Sequence, residues 1–421
     1  MAEGRALTRL KSLYARPAGV PFPEANAYAP AKAALGKRLF EEPLLSRGGG
    51  FACATCHDPV LGFADAQPLG RGVAGTALPR HTPSLWNLAW APALFWDGHA
   101  SSLEEQAKGP IENPIEMAQP LPSAVSRIAA VPDYRRAFAA AFPANPVVDE
   151  ANLLAAIATF ERTLVSPETR FDRWIAGEPD ALNAAERRGF LLFNGKAGCA
   201  ACHEGWAFTD HAFHDIGLPG DDRGRGAAIG LPEALHAFKT PTLRELGRTA
   251  PYTHDGRFAT LEQVLDHYEH GIIDRPTLSP DLRRATLTPE ERQDLLAFLA
   301  TLTAETATPA PLVVAPPPPV ETVVATDRVA QKHKRFTPGH VRIAGGTTVR
   351  IVNDDTRTHN VRITDPRLAF DSGAQSPGDT VVTAPFAEPG RYQVFCGIHP
   401  TMRLTVDVGP DGTAVSSSAD K

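Results

Sequence analysis

Apolar residues recur at three- and four-residue intervals in five stretches, the period of a helix with one buried face. They predict helices at Ala31–Phe40, Ala151–Leu164, Asn183–Phe193, Leu261–Glu269 and Pro289–Leu302. Thr288 with Glu291 reads as a capping box, and Pro289 suits the first helical position. Long Gly- and Pro-containing stretches without a period surround these helices, and such loops are uncommon unless something inside holds them. Beyond residue 322 the period becomes two. Strands are predicted at His340–Ile343, Thr347–Val352, His359–Ile363, Thr380–Ala384, Tyr392–Phe395 and Met402–Val408, with Gly345-Gly346, Pro377-Gly378 and Pro389-Gly390 between them, the pattern of a small β-sandwich. Residues 303–322, TAETATPAPLVVAPPPPVET, separate the two textures. Pro316–Pro319 impose an extended path there, predicting a semi-rigid linker that would reach ~60 Å at ~3.1 Å per residue. The expected organisation is two mainly helical domains (1–165 and 166–302), the linker (303–322), an all-β domain (323–410) and a disordered tail (411–421) rich in Ser and small residues.

Composition narrows the class. The chain has 421 residues, 43% hydrophobic and 21% charged, with net charge −6, a multidomain globular protein at roughly 100–200 residues per domain. No run approaches the roughly 18 apolar residues of a membrane span. The mild acidity argues against nucleic-acid binding, which requires clustered Lys and Arg. Charge divides at the linker: residues 323–421 hold 12 basic and 10 acidic side chains (net +2), the first 322 hold 30 and 38 (net −8). Opposite signs permit docking. The opening Met-Ala-Glu-Gly-Arg lacks the apolar core of a secretory signal.

The five cysteines carry the chemistry. Cys53-Ala-Thr-Cys56-His57 and Cys199-Ala-Ala-Cys202-His203 both read C-x-x-C-H. In this motif two thiols add to haem vinyl groups and the adjoining imidazole binds the iron, predicting two covalent haem c groups. A zinc site would need another cysteine pair, and none exists outside these motifs. Each iron then has a sixth position to fill. Methionine is the usual high-potential ligand, yet the chain contains only Met1, Met117 and Met402. The second haem is left with His211, His214, His236, His254, His267, His270, Tyr252 and Tyr268 as candidates.

In the β-domain, His359 precedes Cys396-Gly-Ile-His399-Pro-Thr-Met402. Two imidazoles and a thiolate with a weak axial thioether make a type 1 (blue) copper site, and one loop supplies three of the four ligands. The region resembles the amicyanin-like cupredoxins.

Several helical-region segments resemble the bacterial di-haem cytochrome c peroxidase and MauG family over residues 25–302: Phe95-Trp96-Asp97-Gly98, Ser102-Leu103-Glu104-Glu105-Gln106-Ala107, Gly109-Pro110-Ile111, Asn113-Pro114-Ile115-Glu116-Met117, Thr240-Pro241-Thr242-Leu243-Arg244 and Ala250-Pro251-Tyr252. The resemblance implies a first haem that reacts with peroxide and a second that stores and relays electrons. It implies Glu116 as the distal acid/base, Gln106 as its polar neighbour and Trp96 as the indole between the haems. Classical peroxidases block the first iron with a His from the loop after the first haem motif. Leu69–Gly75 holds none here, Val73 falls near that place, and an open first site is expected. His81 is a rival iron ligand. Tyr268 falls on the position of the family's classical Met, as in MauG, with His267 as its neighbour on the helix. Neighbours point about 100° apart, so one of them faces the haem. Thr249 and Pro251 resemble calcium-carbonyl positions, although His81 replaces a calcium-ligand Asn.

The expected protein is a periplasmic or extracellular di-haem peroxidase that reduces hydrogen peroxide with electrons relayed through its own copper domain. The alternatives are a MauG-like oxidase modifying a protein substrate, and a non-catalytic electron-transfer protein with three centres.

Overall fold

The computed structural model describes residues 2–316 and 322–409; the expected tail at 411–421 and Pro317–Pro319 lie outside them. Two helical haem domains are followed by an all-β region, the expected fold class. Helix Pro30–Phe40, with Pro at its first position, packs along helix Glu150–Arg162. Gly36 permits this approach: a methyl group there would lie 1.9 Å from the Ala156 carbonyl oxygen. Helices Ala184–Asn194 and Pro289–Ala300 repeat the arrangement, and Gly189 would carry its methyl 2.0 Å from the Asp294 carbonyl oxygen. Capping boxes at Asn183/Glu186 and Thr288/Glu291 start the second pair.

Further helices escaped the periodicity reading, among them Leu103–Glu112, Leu121–Ala130, Pro132–Ala141 and Arg170–Ala176. They are short, and Pro110 lies inside the first. Tertiary packing holds three of them: Ala107, Ile111, Leu121, Ile128 and Phe138 share one core with Leu39 and Ile157. The second half has an aromatic core, with Phe171 and Phe208 5.2 Å and Phe193 and Phe298 5.3 Å apart between ring centres.

The two halves share a local plan. Phe95-Trp96-Asp97-Gly98 and Thr253-His254-Asp255-Gly256 each begin and end in the left-handed region, and each is closed by a bridge, Leu94 to Ala100 and Tyr252 to Phe258. Ser102 and Thr260 then accept from the amide three residues on, starting helices Leu103–Glu112 and Leu261–Asp266.

In the β-region a six-stranded sheet faces a four-stranded one around Val341, Ile351, Val361, Phe386, Tyr392 and Val406, all buried. Arg403–Gly409 pairs antiparallel with Gly390–Phe395 and parallel with His340–Ala344. The expected strand His359–Ile363 shrinks to Arg362–Ile363, and His359 forms a lone bridge with Gln375.

Of the semi-rigid linker expected at 303–322, the described residues 303–316 do not run as a solvated spacer. Ala304 N–H donates to Glu245 Oε1, Ala310 N–H to the Val165 carbonyl, and Val20 and Val314 form a parallel bridge. Its first thirteen residues are therefore laid on the haem domains, because the backbone finds hydrogen-bond partners there that a solvated polyproline path would forgo.

Candidate functional site

The haem motifs sit on short turns, Cys53–Cys56 and Cys199–Ala201, and open into one cavity of about 1070 Å³ lined by Cys53, Cys56, His57, Cys199, Cys202 and His203. The two histidines are held alike. His57 Nδ1 lies 2.9 Å from the Phe63 carbonyl oxygen and His203 Nδ1 2.9 Å from that of Phe208. Both phenylalanines adopt the left-handed backbone that turns the carbonyl toward the ring. With Nδ1–H donating, Nε2 is left as a lone-pair donor, the arrangement a metal-binding imidazole requires. Burial holds both imidazoles below the ordinary histidine range, keeping them neutral. This donor set fits a covalent haem in each half.

Around the first motif, Trp96, Gln106, Pro110 and Glu116 line the cavity. Glu116 Oε1 accepts from Asn113 Nδ2 at 2.8 Å, and burial pushes its carboxyl above the ordinary range. Loop residue Val73 donates its N–H to the Glu116 carbonyl at 2.8 Å, and a methyl on Gly72 would meet the Ile115 carbonyl oxygen at 1.9 Å. The loop thus buttresses Glu116, with Gly72 rather than Val73 lining the cavity. Trp96 Nε1–H donates to the His81 carbonyl at 2.8 Å, and its ring meets His254 edge to face at 6.5 Å. His81 places Nδ1 2.7 Å from the Gln67 carbonyl oxygen.

Around the second motif, helix Leu261–Asp266 runs into a π turn, His267–Gly271, a feature that often marks functional positions. The turn separates the two competing side chains. Tyr268 lines the cavity with Cys199 and Cys202, whereas His267 does not line it and gives Nε2 to the Ile216 carbonyl at 2.9 Å. Burial pushes the Tyr268 phenol above its ordinary range, a shift that a nearby metal charge reverses. Among the other candidates, the Tyr252 hydroxyl donates to the Leu246 carbonyl, His236 Nδ1 engages the Asp222 carbonyl, His254 stacks on Phe238 at 3.6 Å, and both His214 nitrogens are engaged. Thr249 and Pro251 line the same cavity.

Two cavity residues were missed in the sequence. Glu161 is buried, its carboxyl is pushed up to about 8 by desolvation, and its Oε2 has no hydrogen-bond partner among the described residues. Its signal was a carboxylate among the apolar positions of helix Glu150–Arg162. His99 holds Nδ1 2.5 Å from Asp97 Oδ1 and stacks on Phe95 at 4.0 Å.

In the β-domain His359, Cys396 and His399 converge, the one such cluster of potential metal ligands among the described residues. Cys396 Sγ lies 3.8 Å from Nδ1 of each histidine, and the two Nδ1 atoms are 3.0 Å apart. An ion held at ~2.0 Å by nitrogen and ~2.3 Å by sulfur in a plane gives sulfur–nitrogen edges of about 3.8 Å. Burial holds both imidazoles below the ordinary histidine range, so in the neutral form each can offer a ring nitrogen to a metal ion. His359 Nε2 rests on Asp355 Oδ2 at 3.2 Å, and the amides of Asn360 and His399 point at the sulfur at 3.5 and 3.4 Å. Met402 is fully buried and donates its N–H to the His399 carbonyl. The donor set fits copper.

The β-domain is seated on the haem domains through its ligand loop. Phe213 N–H donates to the Ile398 carbonyl at 3.2 Å and Arg225 Nε to the Gly397 carbonyl at 2.8 Å. Lys334 pairs with Asp210 at 2.9 Å and Arg357 with Asp281 at 2.7 Å. The contact charges have the signs that the −8 and +2 halves suggest.

Comparison with known proteins agrees with this geometry. Family models for di-haem cytochrome c peroxidase, cytochrome c and a cupredoxin-like domain match residues 30–180, 187–303 and 295–406. The chain is 49% identical over 309 residues to methylamine utilization protein MauG of Methylorubrum extorquens, covering 73% of this chain and 88% of that protein. It is 37% identical over 279 residues to cytochrome c551 peroxidase of Nitrosomonas europaea, covering 65% and 80%. A crystal structure of a MauG-like protein associated with microbial copper homeostasis matches with TM-score 0.64 and 35% identity over 70% of this chain and 95% of that one.

Proposed function

We propose, from the premise that the chain belongs to the di-haem cytochrome c peroxidase/MauG family, that it reduces hydrogen peroxide to water at the His57 haem with electrons relayed through the copper domain. A haem held by Cys53, Cys56 and His57 would supply the redox chemistry that cleaves the peroxide bond. A second haem would be held by Cys199, Cys202 and His203 with Tyr268 as its sixth ligand, and type 1 copper by His359, Cys396, His399 and Met402. The chain's own residues handle the proton. Cleavage needs a proton moved from one peroxide oxygen to the other, and the Glu116 carboxylate, hydrogen-bonded by Asn113, takes it and returns it. Gln106 orients the substrate from the same wall. Trp96 provides an aromatic bridge between the halves. Each turnover consumes two electrons and two protons, so a one-electron copper must be re-reduced by an external redox protein. Covalent haem and a cupredoxin suit a periplasmic or extracellular setting, and no described helix is long and apolar enough to cross a membrane. Calcium has no part in this reading: His81 presents a ring nitrogen already 2.7 Å from the Gln67 carbonyl in place of an oxygen donor.

The observation that carries the proposal is the pairing of a half-buried Glu116, its carboxyl raised, with Pro110 and Gln106, neither of them a strong iron ligand, on the lining of the same cavity. Rapid mixing of the reduced protein with peroxide, followed by haem and copper spectra, tests it. Peroxide should be consumed as the blue thiolate-to-copper colour appears, and Cys396→Ser should lose the colour but keep the haem reaction. Copper that stays reduced through many turnovers removes it as the donor.

A second reading, peroxide-dependent oxidation of a protein substrate, is favoured by Tyr268, whose anionic oxygen suits oxidised iron. It predicts oxidised states that persist for seconds without substrate, where the first predicts prompt decay through copper.

A further inference from the structure

The copper loop does not face solvent. Its Gly397 and Ile398 carbonyls are hydrogen-bonded to Arg225 and Phe213 of the second haem half, and His399 between the loop and that half is buried. Next to Phe213 stands His214, whose two ring nitrogens are fixed by Asp210 Oδ2 at 3.0 Å and Ser279 Oγ at 2.8 Å. His214 lines the haem cavity together with Cys202, and its chain neighbour Phe213 is bonded to the carbonyl of Ile398, the residue before His399. Asp210 ties the same point twice more, its N–H to the Cys202 carbonyl at 2.8 Å and its carboxylate to Lys334 of the β-domain at 2.9 Å. Cys202, His214 and His399 are thus linked across the interface, the first two through Asp210 and the last two through the Phe213–Ile398 hydrogen bond.

We propose that the β-domain is permanently docked for electron transfer, with electrons passing from copper through His399 and across His214 to the Cys202 edge of the second haem. The step moves one electron, oxidising cuprous to cupric copper and reducing the second haem by one, with no bond made or broken and no proton taken up. It deepens the peroxidase reading and rests on copper being a donor. Several features of the chain favour fixed docking over a swinging tether. Residues 303–315 are laid on the haem domains rather than free. Asp210 is buried, so losing Lys334 would leave its charge short of a counter-ion, which opposes undocking. Arg225 also bridges the Gly397 carbonyl to that of Gly98 at 2.7 Å, fastening the loop at the seam between the halves.

The test uses the complete protein carrying both haems and copper, under anaerobic conditions without peroxide. A flash-generated small-molecule reductant delivers one electron to cupric copper, and decay of the cuprous state into the second haem is timed by absorbance, with solution X-ray scattering on the same samples. The wild type should transfer at a rate independent of protein concentration, salt and added viscogen. K334E/D281R places like charges across both ion pairs. It should keep the copper and haem spectra, scatter as a more extended particle, and transfer ~10-fold more slowly when the docked fraction falls to about a tenth. His214→Gln should stay compact and also slow. A wild-type rate that falls with viscosity, an extended K334E/D281R with the wild-type rate, or a compact His214→Gln with the wild-type rate overturns the docked route. Should flash transfer proceed as proposed while copper remains reduced during peroxide turnover, the route stands and the peroxidase reading fails.

Discussion

Helix Leu103–Glu112 in the first half and helix Leu261–Asp266 with its π turn in the second begin from the same Asp-Gly turn and the same hydroxyl cap. Seven residues after Leu103 stands Pro110, and seven after Leu261 stands Tyr268; both line the cavity. Three residues after each leucine stand Gln106 and Val264, also on its wall. One backbone plan therefore gives the cavity a prolyl ring and a polar amide in the first half, and a phenol oxygen and an aliphatic side chain in the second. The difference teaches how one local plan can carry two different side-chain sets. The proximal histidines are held identically, by Phe63 and Phe208 carbonyls, so divergence is confined to the distal side, where reactivity is set. Trp96 and His254, at matching places in the two turns, meet edge to face where the halves adjoin.

The comparison breaks most visibly if the first half is made like the second. Pro110→His should close the first site, converting its high-spin ferric resonance to low spin and suppressing peroxide consumption by more than the ~10²-fold expected of one acid/base group. Unchanged consumption would mean that peroxide reacts elsewhere. Glu116→Gln should keep both haems and slow the reaction by ~10²-fold. Burial raises the Glu116 carboxyl, and it must be ionised to accept a proton. The wild-type rate should accordingly rise with pH through an inflection above the ordinary ~4.3 of a glutamate, and Glu116→Gln should lack that limb. Tyr268→Phe should leave peroxide binding at the first site and turn the low-spin signal of the second haem into a five-coordinate or water-ligated one. His267→Ala should leave both signals as they are, because its ring serves the Ile216 carbonyl. The smallest effects test the shared plan: Gly36→Ala and Gly189→Ala each drive a methyl into a backbone carbonyl and should cost about 1–3 kcal/mol by denaturant unfolding. A neutral result at one position only would show that the halves are packed differently.

Five helices and the sandwich were legible because each buries one face, and burial writes a period into the chain. Helix Leu103–Glu112 was not, since Pro110 and its short length hide the period; the core formed with Leu39 and Ile157 supplies what local propensity lacks. The turn Thr253-His254-Asp255-Gly256 was readable as a repeat of Phe95-Trp96-Asp97-Gly98, but only matching bridges and left-handed residues make the equivalence plain. Glu161 and His99 were invisible as cavity residues because a single charged side chain on a helix or loop is most often solvated.

By itself the sequence determined the chemistry available: two C-x-x-C-H motifs and a C-x-x-H-x-x-M loop, whose ligands are close in the chain and need only a turn to converge. Tertiary structure decided what depends on residues far apart. It turned Tyr268 rather than His267 into the cavity, through a π turn that no local pattern announces. It laid residues 303–315 on the haem domains instead of leaving them as a spacer, and it set Ile398 against Phe213 and Lys334 against Asp210. These outcomes rest on hydrogen bonds and buried charge pairs between segments more than fifty residues apart, each favourable only once the other segment is in place, so neither segment alone encodes them.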